Sequence, residues 1–243
     1  MTILVNELHF GNGITDATLV QVADRRITIN GRYHSTRRKI FEIPYLKASV
    51  GYFGLAQTNK NNFFSSLVPN IIRNGASIQT ISDFAEYFMA ELNRLVTKQL
   101  LIKYASGFHL CGLATDGVPE FYFIRNFDQM NGPFYHGFRD HYYMSEDFRN
   151  RDAIIGENGT IRPLTEINNA TFFYVNGDLR SFRFFWDSAG LFVNQISSDQ
   201  SFMRPSTLSE LAKWKLEALS SFYRAFSKQQ IVGKPIDAIE IRP

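Results

Sequence analysis

Thr2 has the chemistry of a nucleophile that carries its own base. Removal of Met1, expected before so small a residue, would make Thr2 the mature amino terminus. Its α-amine, with an unperturbed pKa of about 7.7–8.0, could then accept the proton of its own hydroxyl near neutrality. The alternative is that Thr2 is an ordinary first residue of a β-strand.

A terminal threonine needs three further groups to cleave an amide. A cation must favour the alkoxide, a carboxylate must hold that cation, and a backbone N–H must stabilise the oxyanion. Lys39, Asp24 and Gly54 lie at the ends or in the middle of the early predicted strands and are the candidates. The alternative for Asp24 and Lys39 is a plain ion pair beneath a turn. Gly54 could form a turn into the first helix, which is compatible with a role as oxyanion donor.

Other familiar catalytic and ligand-binding motifs are absent from the sequence. It has no Walker loop, no G-x-S-x-G elbow, no H-E-x-x-H and no cysteine cluster. His136 and His141 accompany Asp140 in one segment, but the five histidines lack metal-ligand spacing. Cys111 lies within a predicted strand, where an inert core thiol is expected. We therefore expect no metal and no cofactor.

Charge and hydropathy limit the partners and the compartment. A formal net charge of +3, with scattered basic residues, does not favour a nucleic-acid or membrane partner. No apolar run approaches the roughly 18 residues of a membrane span, and the start lacks a basic, then apolar, signal-peptide pattern. A lone cysteine gives no internal disulfide. We expect a cytoplasmic protein.

The pattern of apolar residues and turns predicts a layered α+β fold in which two sheets face each other and helices lie outside. A hairpin is expected at the start, a second around Asp116-Gly117, and a capping box at Thr207-Leu-Ser-Glu210. The predicted strands are 2–8, 17–23, 38–43, 46–50, 108–114, 120–125, 170–175 and 236–241, and the predicted helices are 58–72, 82–104, 178–189 and 207–226.

Four short motifs, in order, resemble the amino-terminal half of a proteasome β subunit and its bacterial relatives. They are Thr2-Ile-Leu-Val5, Val22-Ala-Asp-Arg-Arg26, Arg38-Lys-Ile40 and Ala48-Ser-Val-Gly-Tyr-Phe-Gly54. In that family a threonine opens the chain, an Ala-Asp-Ser-Arg turn follows the second strand, a lysine follows, and a glycine turn donates to the oxyanion. The resemblance covers roughly residues 2–126 and 170–241.

The resemblance implies an Ntn-hydrolase, a four-layer αββα sandwich. Thr2 would be the nucleophile and its amine the base, and Lys39 would lower the pKa of the threonine hydroxyl. Asp24 would orient Lys39, and the Gly54 N–H would stabilise the oxyanion. The implied partners are further copies of the chain in a ring, a peptide or protein substrate, and a regulatory ATPase that the sequence leaves open.

The chain departs from the family around the terminal amine. The family's Gly-Ser-Gly turn appears as Tyr174-Val-Asn-Gly-Asp178, so Asp178 stands near the position of the supporting serine. Asp178 could hold the amine protonated or could cap a helix, and we favour the cap. Where many members have an Asp and a Ser near the end, this chain has Gln229 and Val232.

Three functions are compatible with these residues. The first is a threonine-dependent amidohydrolase, most simply a proteasome-like peptidase. The second is a non-catalytic proteasome-like subunit or assembly scaffold that retains the fold without the amine-supporting groups. The third is an Ntn acyltransferase or small-amide hydrolase, in which acyl-Thr2 passes to an amine or to water.

A single domain spanning residues 1–243 is expected, with an insertion at about 127–168 that the family lacks. Aromatic residues make up 15% of the chain, including 23 Phe, and this much apolar surface must be buried. Because the insertion has no clear period, we expect its aromatics to contact a neighbouring subunit or line a chamber. They include Phe134, Tyr135, Phe138, Tyr142 and Tyr143.

Overall fold

A computed structural model describes most of the chain. The described residues are 3–11, 16–29, 32–58, 62–131, 134–145, 171–177, 185–186, 188–189, 206–227 and 232–243. Their strands are β1 (Ile3–Phe10), β2 (Ala17–Asp24), β3 (Arg26–Ile29), β4 (Arg32–Thr36), β5 (Ile40–Ile43), β6 (Ala48–Gly54), β7 (Ser106–Leu113), β8 (Pro119–Asn131), β9 (Phe134–Ser145), β10 (Thr171–Gly177) and β11 (Ile236–Ile241). Their helices are α1 (Phe64–Asn74), α2 (Ile81–Leu95), α3 (Lys98–Leu101) and α4 (Leu208–Phe226).

The strands form two large antiparallel sheets and one small one. The first sheet has the order β10-β1-β2-β11 and the second β5-β6-β7-β8-β9, and β3 and β4 form the small sheet. The predicted first hairpin is confirmed, with Leu4 opposite Ala23 and Phe10 opposite Ala17. The mixture of helices with mainly antiparallel sheets agrees with the predicted α+β class.

Apolar residues form three clusters that follow from the alternation of side chains along the strands. One lies between the second sheet and helices α1 and α2, and includes Phe84, Phe88 and Phe108. A second contains residues of both large sheets, such as Leu4 of β1 and Phe121 of β8. The third joins the other face of the first sheet to α4. The two large sheets therefore pack against each other, with helices on their outer faces.

Local sequence explains where the helices begin and end. Thr207 caps α4 by accepting a hydrogen bond from the Glu210 N–H at 3.1 Å, and the Glu210 carboxylate accepts one from the Ser206 N–H at 3.0 Å. The helix predicted over 82–104 ends earlier, because Val96 and Thr97 have extended backbone conformations and separate α2 from α3. The helix predicted from Asp178 lies largely outside the described residues.

The stretch from Phe127 is more regular than the sequence suggested. β8 continues to Asn131 and pairs with β9, so the first part of the expected insertion is an extension of the second sheet. The prediction that its aromatics face another subunit is wrong for Tyr142, which is 1% exposed in the chain's own core. Tyr135 and Tyr143 are half-buried, and Phe138 is 38% exposed. The side chain of Phe134 and residues 146–170 lie outside the described part.

No helix among the described residues has both the length and the apolar character needed to cross a membrane.

Candidate active site

Asp24 and Lys39 form a buried ion pair where the two large sheets meet. Asp24 is the last residue of β2, which has neighbours on both sides, and Lys39 directly precedes β5. Lys39 Nζ lies 3.1 Å from Asp24 Oδ1 and donates a 2.6 Å hydrogen bond to the Arg26 carbonyl oxygen. Both side chains are at most 1% exposed. The pair predicted from the sequence is therefore present.

Burial controls the electrostatics of this pair. It raises the pKa of the Asp24 carboxyl and lowers the pKa of the Lys39 ammonium, while their mutual attraction opposes both changes. Lys39 therefore holds its proton less firmly than a lysine in water. A cation of this kind can favour a nearby alkoxide and can also exchange a proton with it.

The Asp24 carboxylate also accepts three backbone hydrogen bonds from separate parts of the chain. Oδ1 accepts from Ile3 N–H at 3.4 Å, and Oδ2 accepts from Arg26 N–H at 3.1 Å and Gly233 N–H at 3.3 Å. The Ile3 nitrogen belongs to the peptide bond that joins it to Thr2. Asp24 thus ties the beginning of β1 to the Lys39 cation. Thr2 itself lies outside the described residues.

Gly54 ends β6, the strand beside Lys39. The Tyr52 N–H donates to the Lys39 carbonyl oxygen at 3.0 Å, and Gly54 follows two residues later, about 7 Å along an extended strand. Its φ of +79° lies in the left-handed region, and a Cβ would stand 2.2 Å from the Ala105 carbonyl oxygen. Glycine is required there. A turn directly into the first helix is not supported, because α1 begins at Phe64.

The sequence did not predict two residues whose backbone groups bind Asp24. Arg26 supplies both an N–H to Asp24 and a carbonyl oxygen to Lys39, and Gly233 reaches Asp24 from the segment before β11. Both act through the backbone, so their residue types carry little information about the contact. Only their positions in the sequence could have indicated these contacts. Arg26 follows Asp24 by two residues, and Gly233 precedes β11, the strand that pairs with β2.

The groups expected around the terminal amine are only partly within the described chain. Asp178 and Gln229 lie outside it, although Gly177, the residue before Asp178, is opposite Ile3 in the β1–β10 register. Val232 is described and is fully buried among the apolar residues beneath α4. Val232 therefore contributes to the core and offers no hydroxyl to a neighbouring group.

A second buried ion pair lies on the α4 face of the first sheet, away from Lys39. Glu7 of β1 pairs with Lys215 of α4 at 3.2 Å and accepts hydrogen bonds from Trp186 Nε1 at 2.8 Å and His9 Nε2 at 2.7 Å. Although burial raises the pKa of Glu7, the His9 hydrogen bond and the Lys215 charge bring it below its ordinary value. This pair fastens α4 to the sheet.

A polar network also lies between the two large sheets. The ring nitrogens of His109 face the side-chain amides of Asn6 and Asn176, the latter at 2.8 Å, and Gln21 Nε2 donates to Asn6 Oδ1 at 2.8 Å. Burial lowers the pKa of His109 to about 3, so the ring is neutral and has one donor and one acceptor.

The neutral ring fixes the orientation of the two amides. Asn6 Nδ2 also donates to the Tyr174 carbonyl oxygen at 3.2 Å, so it donates to His109 Nδ1. Nε2 must then carry the proton, so Asn176 must accept it through Oδ1, in the position where Nδ2 lies 2.8 Å from Nε2. We assign this tautomer. Both ring nitrogens of His109 are then engaged in hydrogen bonds, so the ring offers no free base.

The described residues contain no group of three or more His, Cys, Asp or Glu placed to hold a metal ion. Asp140 instead accepts hydrogen bonds from Lys98 at 3.0 Å and from His141 at 2.8 Å, and His136 lies elsewhere on β9. Cys111 is buried as expected, and burial raises the pKa of its thiol to about 12. The Asp140 carboxylate is thus engaged by neighbouring cations, and the Cys111 thiol remains protonated at neutral pH.

The geometry thus brings Asp24, Lys39 and the start of β1 together, with Gly54 on the neighbouring strand. A buried cation of this kind can lower the proton affinity of a hydroxyl that lies beside it, and Gly54 can offer a backbone donor. The chain matches no protein-family model and no curated protein. The functional assignment therefore depends on the site itself.

Proposed function

We propose that this protein is an N-terminal threonine amidohydrolase that acts as a peptidase after loss of Met1. The observation that carries the proposal is the shared carboxylate of Asp24, which accepts from Lys39 Nζ at 3.1 Å and from the Ile3 N–H at 3.4 Å through the same oxygen. Thr2 is covalently joined to that Ile3 nitrogen. A buried cation is thereby fastened to the residue next to the proposed nucleophile.

In the proposed reaction the Thr2 Oγ adds to the carbonyl carbon of a substrate amide, and its proton passes to the Thr2 α-amine. Lys39 stabilises the developing alkoxide, and the Gly54 N–H donates to the tetrahedral oxyanion. The C–N bond then breaks, and the leaving amine takes the proton held by the α-amine. Water attacks the resulting Thr2 ester, which releases the acid and restores the hydroxyl.

The proposal extends to fold and assembly. The two packed sheets with outer helices agree with an Ntn-type αββα sandwich, and a ring of identical subunits would enclose the site. In such a ring, access to the chamber would select unfolded peptide substrates. The half-buried and exposed aromatics of β9, among them Phe138 at 38% exposure, provide apolar area for contacts between subunits.

Val232 favours a second candidate, a non-catalytic subunit of the same fold. It is fully buried in an apolar cluster, so it gives the terminal amine no hydroxyl. A protein of this kind would retain the Asp24–Lys39 pair as a structural element. The two candidates differ in whether Thr2 becomes acylated.

Intact mass measurement of freshly purified protein tests the proposal. We expect loss of Met1 and a stoichiometric adduct after treatment with a β-lactone, and Thr2→Ala should abolish the adduct. Thr2→Ser, which retains a hydroxyl, is the matched control and should still react. Retention of Met1, or an adduct that survives in Thr2→Ala, would favour the non-catalytic subunit.

Substrate class requires a second assay with the same variants. A peptide-library digest should show cleavage that is lost in Thr2→Ala. Hydrolysis of small amides without peptide cleavage would instead assign the site to the small-amide class, and acyl transfer to added amines would assign it to the acyltransferases.

A further inference from the structure

A cationic cavity is lined by two residues, Arg26 and Gly233, whose backbone N–H groups donate to Asp24. Its volume is about 200 Å³, and it opens between the start of β3, the last turns of α4 and the segment before β11. Typical sites for organic ligands have roughly 300–1,000 Å³, so this cavity suits a small group. It is lined by Arg26, Ser220, Ser221, Arg224, Gly233 and Lys234.

The charge of the cavity is positive. Three of its lining residues are cationic, and the nearby carboxylate of Glu217 pairs with only one of them, Lys234, at 3.1 Å. That leaves a net charge of about +2, from which the negative end of the α4 dipole subtracts about half a charge. Among the described residues, no carboxylate pairs with Arg224.

Arg26 provides a donor that the described chain does not use. Its Nε–H is buried, and no acceptor for it lies among the described residues. A buried donor without an acceptor destabilises the folded chain, and an anionic ligand would remove that cost. The Ser220 and Ser221 hydroxyls already donate to the carbonyl oxygens of Val232 and Glu217, so the donors for an anion would come from the cationic side chains.

We propose that this cavity binds a phosphate group, carried by inorganic phosphate or by a small phosphate ester. A phosphate has a charge of about −1.5 to −2 at neutral pH, which matches the cavity, and its oxygens accept the forked hydrogen bonds of arginine. A carboxylate has a single charge and two oxygens, so it would leave part of the positive charge uncompensated.

The ligand would also influence the candidate active site, and this second step rests on the proposed function. Arg26 lines the cavity while its backbone contacts both Asp24 and Lys39, and Gly233 lines it while its N–H donates to Asp24. The two residues are packed so closely that a Cβ on Gly233 would stand 2.7 Å from Arg26 Cδ. A phosphate that draws the Arg26 side chain therefore shifts the backbone that holds the ion pair.

Calorimetric titration of the full chain with inorganic phosphate, glycerol 3-phosphate and acetate, at constant ionic strength, tests the binding step. Both phosphates should bind, with the ester tighter if its organic part also contacts the cavity, and acetate should bind at least tenfold more weakly. Arg224→Gln should raise the phosphate Kd about tenfold. Arg73→Gln is the matched control, because Arg73 is also exposed in the last turn of a helix, α1.

The outcomes separate this inference from the proposed function. Equal Kd values in Arg224→Gln and Arg73→Gln, or acetate binding as tight as phosphate, would overturn the phosphate site. If binding holds, phosphate should change the rate of Thr2 labelling by a β-lactone severalfold in the wild type and not in Arg224→Gln. Unchanged wild-type labelling would overturn the coupling alone, and no labelling under any condition would overturn the proposed function while leaving the phosphate site intact.

Discussion

Replacing Lys39 with methionine separates a structural role of the ion pair from a chemical one. The change removes a buried cation, 1% exposed, and leaves Asp24 with its three backbone donors, at 3.1–3.4 Å. Breaking a buried pair costs about 3–5 kcal/mol, and because the remaining donors still compensate Asp24 we expect about 3 kcal/mol. That is a large part of a typical domain stability of about 5–15 kcal/mol.

The matched control is Lys215→Met. Lys215 also pairs with a fully buried carboxylate, Glu7, which retains hydrogen bonds from Trp186 and His9. We therefore expect a similar loss of unfolding free energy, about 3 kcal/mol. Because the Trp186 hydrogen bond still holds Glu7 on the α4 face, the register of β1 and the candidate site should not change. The two variants should unfold at similar urea concentrations.

The decisive measurement is the rate of Thr2 acylation by a β-lactone, under conditions in which both variants are folded. Lys39→Met should react at least a hundredfold more slowly than the wild type, since removing one electrostatic stabiliser costs about 10²–10³ in rate. Lys215→Met should react at the wild-type rate. Equal rates in the two variants would refute the reasoning that Lys39 has a chemical role.

Three further changes test other parts of the structure. Gly54→Ala should lower the unfolding free energy by about 2–5 kcal/mol, because of its φ of +79° and the clash with Ala105, as measured by urea denaturation. Since the folded pKa of His109 is about 3 and its unfolded pKa about 6.5, its contribution to stability is complete above pH 6.5 and declines as the pH falls towards 3. Stability should drop by about 2 kcal/mol from pH 6.5 to 5, and His109→Gln should remove that part of the pH dependence. Thr207→Ala should cost about 1 kcal/mol through loss of the α4 cap, with an unchanged urea m-value.

The sequence predicted best those elements whose signals are local. The Thr207 capping box and the Asp116-Gly117 turn depend on neighbouring residues, and both occur as expected, with Gly117 at φ +80°. The Asp24–Lys39 pair was also predictable, because β2 ends at one residue and β5 begins after the other. Their charged side chains stand at the ends of strands that consist mainly of apolar residues.

The sequence did not predict the strands that lack a buried face. β4 is mostly exposed along its length, and much of the described part of β9 is exposed too, so neither has the apolar alternation by which a strand is recognised. β4 is held by backbone pairing with β3, and β9 by backbone pairing with β8. Hydrogen bonds between peptide groups do not depend on residue type, so the sequence does not reveal them. For the same reason the backbone contacts of Arg26 and Gly233 with Asp24 could not be foreseen.

The buried polar residues of β1 explain how the candidate site obtains its geometry. Asn6 meets His109 between the sheets, whereas Glu7, on the opposite face, meets Lys215 of α4. Because side chains alternate along a strand, a slip of one residue would exchange the two faces and leave both polar groups buried without partners. The two contacts therefore fix a single register for β1. That register places the Ile3 N–H within hydrogen-bond distance of Asp24, which also binds Lys39. Polar contacts of Asn6 and Glu7, which are far from Lys39, therefore determine the position of Ile3 relative to the Lys39 cation.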